Sequence, residues 1–361
     1  MGEPLLRALA ASFATPPDTA ILARLSPEDW AELVALAHRH RLVPALHLAL
    51  TTRMADAAVP PEVRDHAGAI AALNDARNTA VQAEIRSAIA ALNGAGLEPV
   101  MLKGAAILLE GGHAARGRMI GDIDLLVPTA REDEALAALG AAGFRPISEY
   151  PPSSHSIADL DRPGGHACLD LHRDLLDPPF RHLLPAADVL ARAVPRKADG
   201  LRWHVPALTH RALHTLLHAQ ILSAGYYVRR LDLGAARDIT ALGDDVDWTG
   251  VEAWADRHRM RPILDAMLLA AGDGFGMPWP LRTSPGEVAL AHHRRACQLE
   301  REDGRWDSGL GLLARLRESV AADRLDAAFG TDRTRPAQVA LQLASVARRH
   351  RAAELLRRLL R

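Results

Sequence analysis

Asp122 and Asp124 stand two residues apart in an apolar run, GDIDLLVP (121–128), bounded by glycine and proline. Such a run reads as a strand. Strand side chains alternate faces, so both carboxylates project to one side, and Ile123, Leu125 and Val127 to the other. Two carboxylates this close repel each other, and hard oxygen donors of this kind suit Mg²⁺, which takes one or two carboxylates plus substrate phosphates. A third acid, Asp170, lies in CLDLH (168–172), where it shares a face with Cys168 and His172. If the two strands are neighbours, three carboxylates converge in the arrangement that holds two metal ions about 3.5–4 Å apart for in-line phosphoryl or nucleotidyl transfer. Asp122, Asp124 and Asp170 are therefore the candidate catalytic residues and metal ligands. His172 is either a contact to the acceptor or a structural histidine.

Upstream, MLKGAAILL carries a strand into Lys103-Gly104 and then a helix. Glycine permits close backbone approach, and a helix N-terminus offers free N–H groups to a phosphate. Only two of the 43 Lys and Arg residues are lysines, Lys103 and Lys197, so a compact point charge at this junction is informative. Lys103 and Gly104 are candidate nucleotide-binding residues. Arg118, in the loop ARGRMIGD, is placed to reach a phosphate or to pair with a carboxylate, as is Arg116. His214 and His218 have the i, i+4 spacing that can bind zinc. However, no H-E-x-x-H glutamate or third ligand accompanies them, which leaves structural or substrate-lining roles. His218 is a candidate substrate contact, as is Arg230 in VRRLDLGAARDI, a segment whose Asp232 and Asp238 are also expected near the cleft or in an intrahelical network.

The elements that must position these groups alternate in texture. Helical periodicity over 27–50, with Ser26 as N-cap and Asp29 three residues on, and over 61–93 predicts an all-helical region 1–95. Between 96 and 205, strands are expected at 98–104, 121–128, 154–160, 166–172 and 201–205, with short helices after Gly104 and over REDEALAALGAAGF. From 206 to 361 the helical period returns. The basic amphipathic end, RRHRAAELLRRLLR, reads as a solvated terminal helix, with nucleic-acid or membrane binding as the alternative.

Composition bounds the function. The 361 residues, 48% hydrophobic and 24% charged, give an ample core, and a net charge of -1 argues against DNA or bulk nucleic-acid capture. Two distant cysteines, no leader-like start and no long apolar run point to a reducing cytoplasm and no membrane association.

LKG at 102–104, Arg118, DIDLLV at 122–127 and LDLH at 169–172 together resemble the uncharacterised nucleotidyltransferase family of the DNA polymerase β-like superfamily. The resemblance extends over about residues 25–240, including AHRHRLVPALHLAL and LLHA at 216–219. It implies an α+β fold, a small mixed β-sheet nucleotidyltransferase core between helical N- and C-terminal regions. It further implies Asp122 and Asp124 as the Mg²⁺ pair, Asp170 as the third acid that orients or deprotonates the acceptor, and Gly104 as the phosphate turn. Ala105 replaces the superfamily's usual serine or second glycine, which shifts weight onto Lys103. The expected activity is Mg²⁺-dependent (two ions) transfer of a nucleoside monophosphate from an NTP such as ATP to a hydroxyl or phosphate, releasing pyrophosphate. The acceptor is a small molecule or protein in preference to RNA. The alternatives are a catalytically silent nucleotide- or partner-binding module and a phosphotransferase using the γ-phosphate.

Overall fold

Local capping explains how the chain starts. Helix α1 (Pro4–Phe13) and the single turn α2 (Thr19–Leu22) lead into α3 (Pro27–Arg39). Ser26 Oγ accepts from Asp29 N while the Asp29 carboxylate accepts from Ser26 N, the expected capping box. The one helix expected over 27–50 proves to be two. At Arg41 the backbone turns left-handed (φ 57), Leu42 N bonds Ala37 O at 2.7 Å and Arg41 N bonds His38 O at 3.1 Å. This is a Schellman ending, after which Pro44 sits in the first turn of α4 (Val43–Arg53), where its missing N–H costs nothing. Apolar spacing conceals the break because the stripe resumes beyond it. The long α5 (Pro61–Gly94) ends one residue past its expected stop. The computed structural model describes residues 4–14, 17–53, 59–152, 154–177, 180–301 and 334–339. The basic stretch 348–361 lies outside them.

The sheet begins with β1 (Val100–Met101), followed by α6 (Lys103–Glu110), the short α7 (Gly112–Ala115), β2 (Asp122–Leu126) and the acid-first α8 (Glu132–Ala141). Then come β3 (Arg145–Glu149), β4 (Ser156–Asp161), β5 (Cys168–His172), α9 (Ala186–Ala191), β6 (Val194–Ala198) and β7 (Leu201–Val205). The seven strands lie in the order β3-β4-β5-β2-β1-β7-β6, with β2 parallel to β5 and β1 parallel to β7. The two strands that sequence reading did not anticipate, β3 and β6, are the outermost pair. Pro146 and Pro195 and mostly exposed side chains mask their periodicity, and an edge is where a strand tolerates proline.

Helices α10 (Leu208–Leu217), α11 (Leu233–Leu242), α12 (Trp248–Arg257), α13 (Arg261–Phe275) and α14 (Glu287–Arg301) follow, with a π-helical turn at His218–Leu222 directly after α10. Two cores result. One packs α5, α6 and α8 on the sheet through Ile85, Ile89, Ala105, Leu139, Ile123, Leu125 and Leu169. The other unites the N- and C-terminal helices, Leu9, Trp30 and Leu46 with Leu213, Leu233 and Leu264, and it also takes Val100 and Leu126 of the sheet. Phe13 meets Phe275 edge-on at 5.1 Å, so α1 and α13, distant in sequence, close one body. Because Leu126 faces that body, Asp124, two residues earlier, shares its side of the sheet. Neither Cys168 nor Cys297 forms a disulfide, and among the described residues no helix is long and apolar enough to cross a membrane.

Candidate active site

Strand register assembles the acids. In the parallel β2–β5 pair, Asp124 lies opposite Asp170 and Asp122 opposite Cys168. Lys103 Nζ donates to Asp124 Oδ1 at 2.6 Å, and His172 Nε2 lies 3.1 Å from the same oxygen and 3.0 Å from Asp170 Oδ2. Asp124 and His172 are each 1% exposed. Burial alone would push the Asp124 carboxyl up, but Lys103 and His172 hold it well below the usual range. Burial would lower His172, yet its hydrogen bonds to Asp124 and Asp170 raise it to about 9. Asp122 is pushed up by burial and by the Asp124 charge. Three carboxylates thus face two cations, an imbalance that favours a further positive charge.

Asp170 Oδ1 is buried with no hydrogen-bond partner. An orphaned carboxylate oxygen beside two further acids fits a hard divalent cation, which Asp122, Asp124 and Asp170 would hold. His155, Asp170 and His172 also bring ligand atoms within 4.8 Å of one another, with His155 Nδ1 2.7 Å from Asp177.

A cleft of about 580 Å³ opens between this face of the sheet and the helical body. Lys103, Gly104, Arg118, Asp122, Asp124, His214, His218 and Arg230 line it, whereas Asp170 and His172 do not. The structure therefore places His172, expected as a substrate contact, behind the acid pair, where it braces both carboxylates. Lys103 adopts φ 43 at the strand-to-helix turn. A Cβ on Gly104 would come within 2.8 Å of Ile120 Cδ1, so the glycine lets the turn close on Ile120. Arg118 pairs with Asp238 of α11 at 2.8 Å, an acid of the helical body and not of a strand end. Arg230 is 3.8 Å from Asp232, which caps α11.

Several positioning residues escaped the sequence reading. Arg77 of α5 donates to Ile120 O and, at 2.8 Å, to His166 O, tying down the chain just before both acid-bearing strands. Asn78 and Asn74 donate to Arg118 O at 2.8 and 3.4 Å, and Glu84 accepts from His166 N at 2.6 Å. The available signal was polar residues at three- and four-residue spacing within the buried stripe of α5.

His214 is 3% exposed with Nε2 unpartnered, and burial, then Lys103, keeps its pKa well below normal. The same causes depress His218 to about 4. A histidine depressed in the fold binds its proton more weakly there than when unfolded, so no penalty exists above about pH 6.5 and one grows as pH falls toward 4. His218→Gln is expected to flatten that segment of a plot of thermal midpoint against pH. An unchanged slope would mean that His218 is solvated.

A mixed sheet with flanking helices that sets paired acids and a lysine on the floor of a cation-rimmed cleft has the form of a nucleotidyltransferase fold. The family described as uncharacterised nucleotidyltransferase matches residues 26–276, and the chain belongs to it. No curated protein and no solved structure matches the chain.

Proposed function

We propose that the protein transfers a nucleoside monophosphate from an NTP to a hydroxyl or phosphate of a small molecule or protein, with Mg²⁺, and releases pyrophosphate. The pairing of Asp122 and Asp124 with Lys103 on the cleft wall, with Asp170 in register beside Asp124 on the neighbouring strand, carries this reading. Bound metal would supply charge neutralisation for the phosphates. Lys103, the Gly104 turn and Arg118 would hold the triphosphate, and His218 and Arg230 the acceptor. Asp170 completes the acid set and, in this reading, orients the acceptor or takes its proton. The acceptor oxygen bonds the α-phosphorus as the bond to the pyrophosphate oxygen breaks. A cleft of about 580 Å³ has the size of a small-ligand site, which supports a small acceptor over RNA. The compartment in this reading is the cytoplasm.

The test is product analysis with each of the four NTPs and Mg²⁺ across a panel of sugars, alcohols and the protein's own side chains. Pyrophosphate plus a nucleotidylated product, abolished by chelation, is expected. Nucleoside diphosphate with a phosphorylated product would establish phosphotransfer instead, and nucleotide binding without turnover a silent module.

A further inference from the structure

Arg41 carries two features that its neighbours do not. It occupies the C′ position of the Schellman ending of α3 at φ 57, a left-handed conformation that strains a residue bearing a Cβ and that helices commonly give to glycine. It is also the cleft arginine without a partner among the described residues. Arg39, Arg118 and Arg211 pair with Glu300, Asp238 and Glu110 at 2.7, 2.8 and 2.6 Å, and Arg230 has Asp232 at 3.8 Å.

The strained backbone aims this cation at the acid strand. Arg41 Nη1 lies 3.4 Å from where a Cβ on Gly121 would stand, and Gly121 immediately precedes Asp122. The guanidinium thus lies in van der Waals reach of the backbone that leads into the acid strand. Placement at a helix C-terminus gives any cation a modest benefit. That benefit needs no left-handed backbone, since Arg39 in the last turn of α3 has it already. Arg229 and Arg259 share the left-handed backbone, but of the three only Arg41 lines the cleft, and strained residues cluster at ligand clamps.

We propose that Arg41, delivered from the helical N-terminal region, binds the triphosphate of the nucleotide beside Asp122, in the same cleft that Lys103 lines. This rests on the function proposed above. A planar guanidinium with no competing carboxylate is suited to bidentate contact with phosphate oxygens.

The test separates backbone from side chain. Arg41→Gly relieves the left-handed strain and removes the cation, so its thermal midpoint is expected to be unchanged or raised. Its affinity for inorganic tripolyphosphate with Mg²⁺, titrated calorimetrically on the full chain, is expected to fall tenfold or more. Arg41→Lys, which keeps the charge without the fork, is expected to bind with intermediate affinity. Wild-type affinity in Arg41→Gly overturns the inference alone. A wild-type protein that binds neither Mg²⁺-tripolyphosphate nor any Mg²⁺-NTP overturns the proposed function, and this inference with it.

Discussion

Asp124→Asn is expected to abolish pyrophosphate release and to destabilise the fold, whereas Asp122→Asn abolishes release and leaves stability unchanged or improved. Both acids would hold the metal, and losing either should cost on the order of a hundredfold to a thousandfold in turnover. Their structural roles differ. Asp124 is 1% exposed and accepts from both Lys103 and His172, so neutralising it strands two cations against the sheet. Removing one partner of a buried pair typically costs about 3–5 kcal/mol, and the 21% exposure of the Lys103 side chain puts the expectation near the lower end, about 3 kcal/mol. Asp122 keeps an exposed edge, yet partial desolvation of its carboxyl and then the charge of Asp124 beside it oppose its ionisation, so an amide relieves both costs. Urea unfolding of both variants alongside a pyrophosphate assay checks this. Equal stability of the two variants would refute the asymmetry, and full turnover in Asp122→Asn would remove that residue from the metal site.

Gly117→Ala is expected to be the most damaging small substitution outside the acids. Gly117 has φ 66, and a Cβ there would lie 2.6 Å from Ala45 Cα and N and 2.8 Å from Pro44 C. These are backbone atoms at the start of α4 and cannot swing aside. Left-handed strain of about 1–2 kcal/mol adds to overpacking of about 1–3 kcal/mol, for a loss of roughly 3–4 kcal/mol. The same displacement moves Arg118, whose carbonyl is held by Asn74 and Asn78 and whose guanidinium is held by Asp238, so nucleotide affinity should fall as well. Gly140→Ala in α8 is the control. No atom lies within 4 Å of its Cβ, and alanine in a helix is expected to add about 0.5–1 kcal/mol. Comparable midpoints for the two variants would show that the Gly117 loop yields.

The acid pair was legible because a strand's period of two is local: Asp122 and Asp124 share a face whatever the sheet does. Strands β4 and β5 were legible for the same reason, from the short runs at 154–160 and 166–172. Edge strands β3 and β6 were not, since proline and exposed polar residues erase the alternation that burial would impose. The break at Arg41 was hidden by an arginine where glycine usually marks a helix end.

By itself the sequence determined the residue types at the site, their common strand face, the capping box at Ser26, the long α5 and, among the described residues, the helical character of the segments before and after the sheet. Tertiary structure alone decided that β5 lies beside β2, so that Asp170 meets Asp124, and that His172 turns inward to brace the carboxylates. It also decided that Arg77 and Asn78 hold the loops before the acids, and that helices from before and after the sheet share one core over the cleft. The physical reason is range. Propensity, capping and periodicity act over a few residues, whereas strand order and the partners of buried charges are set by which distant surfaces exclude water from one another, and no local pattern encodes that choice.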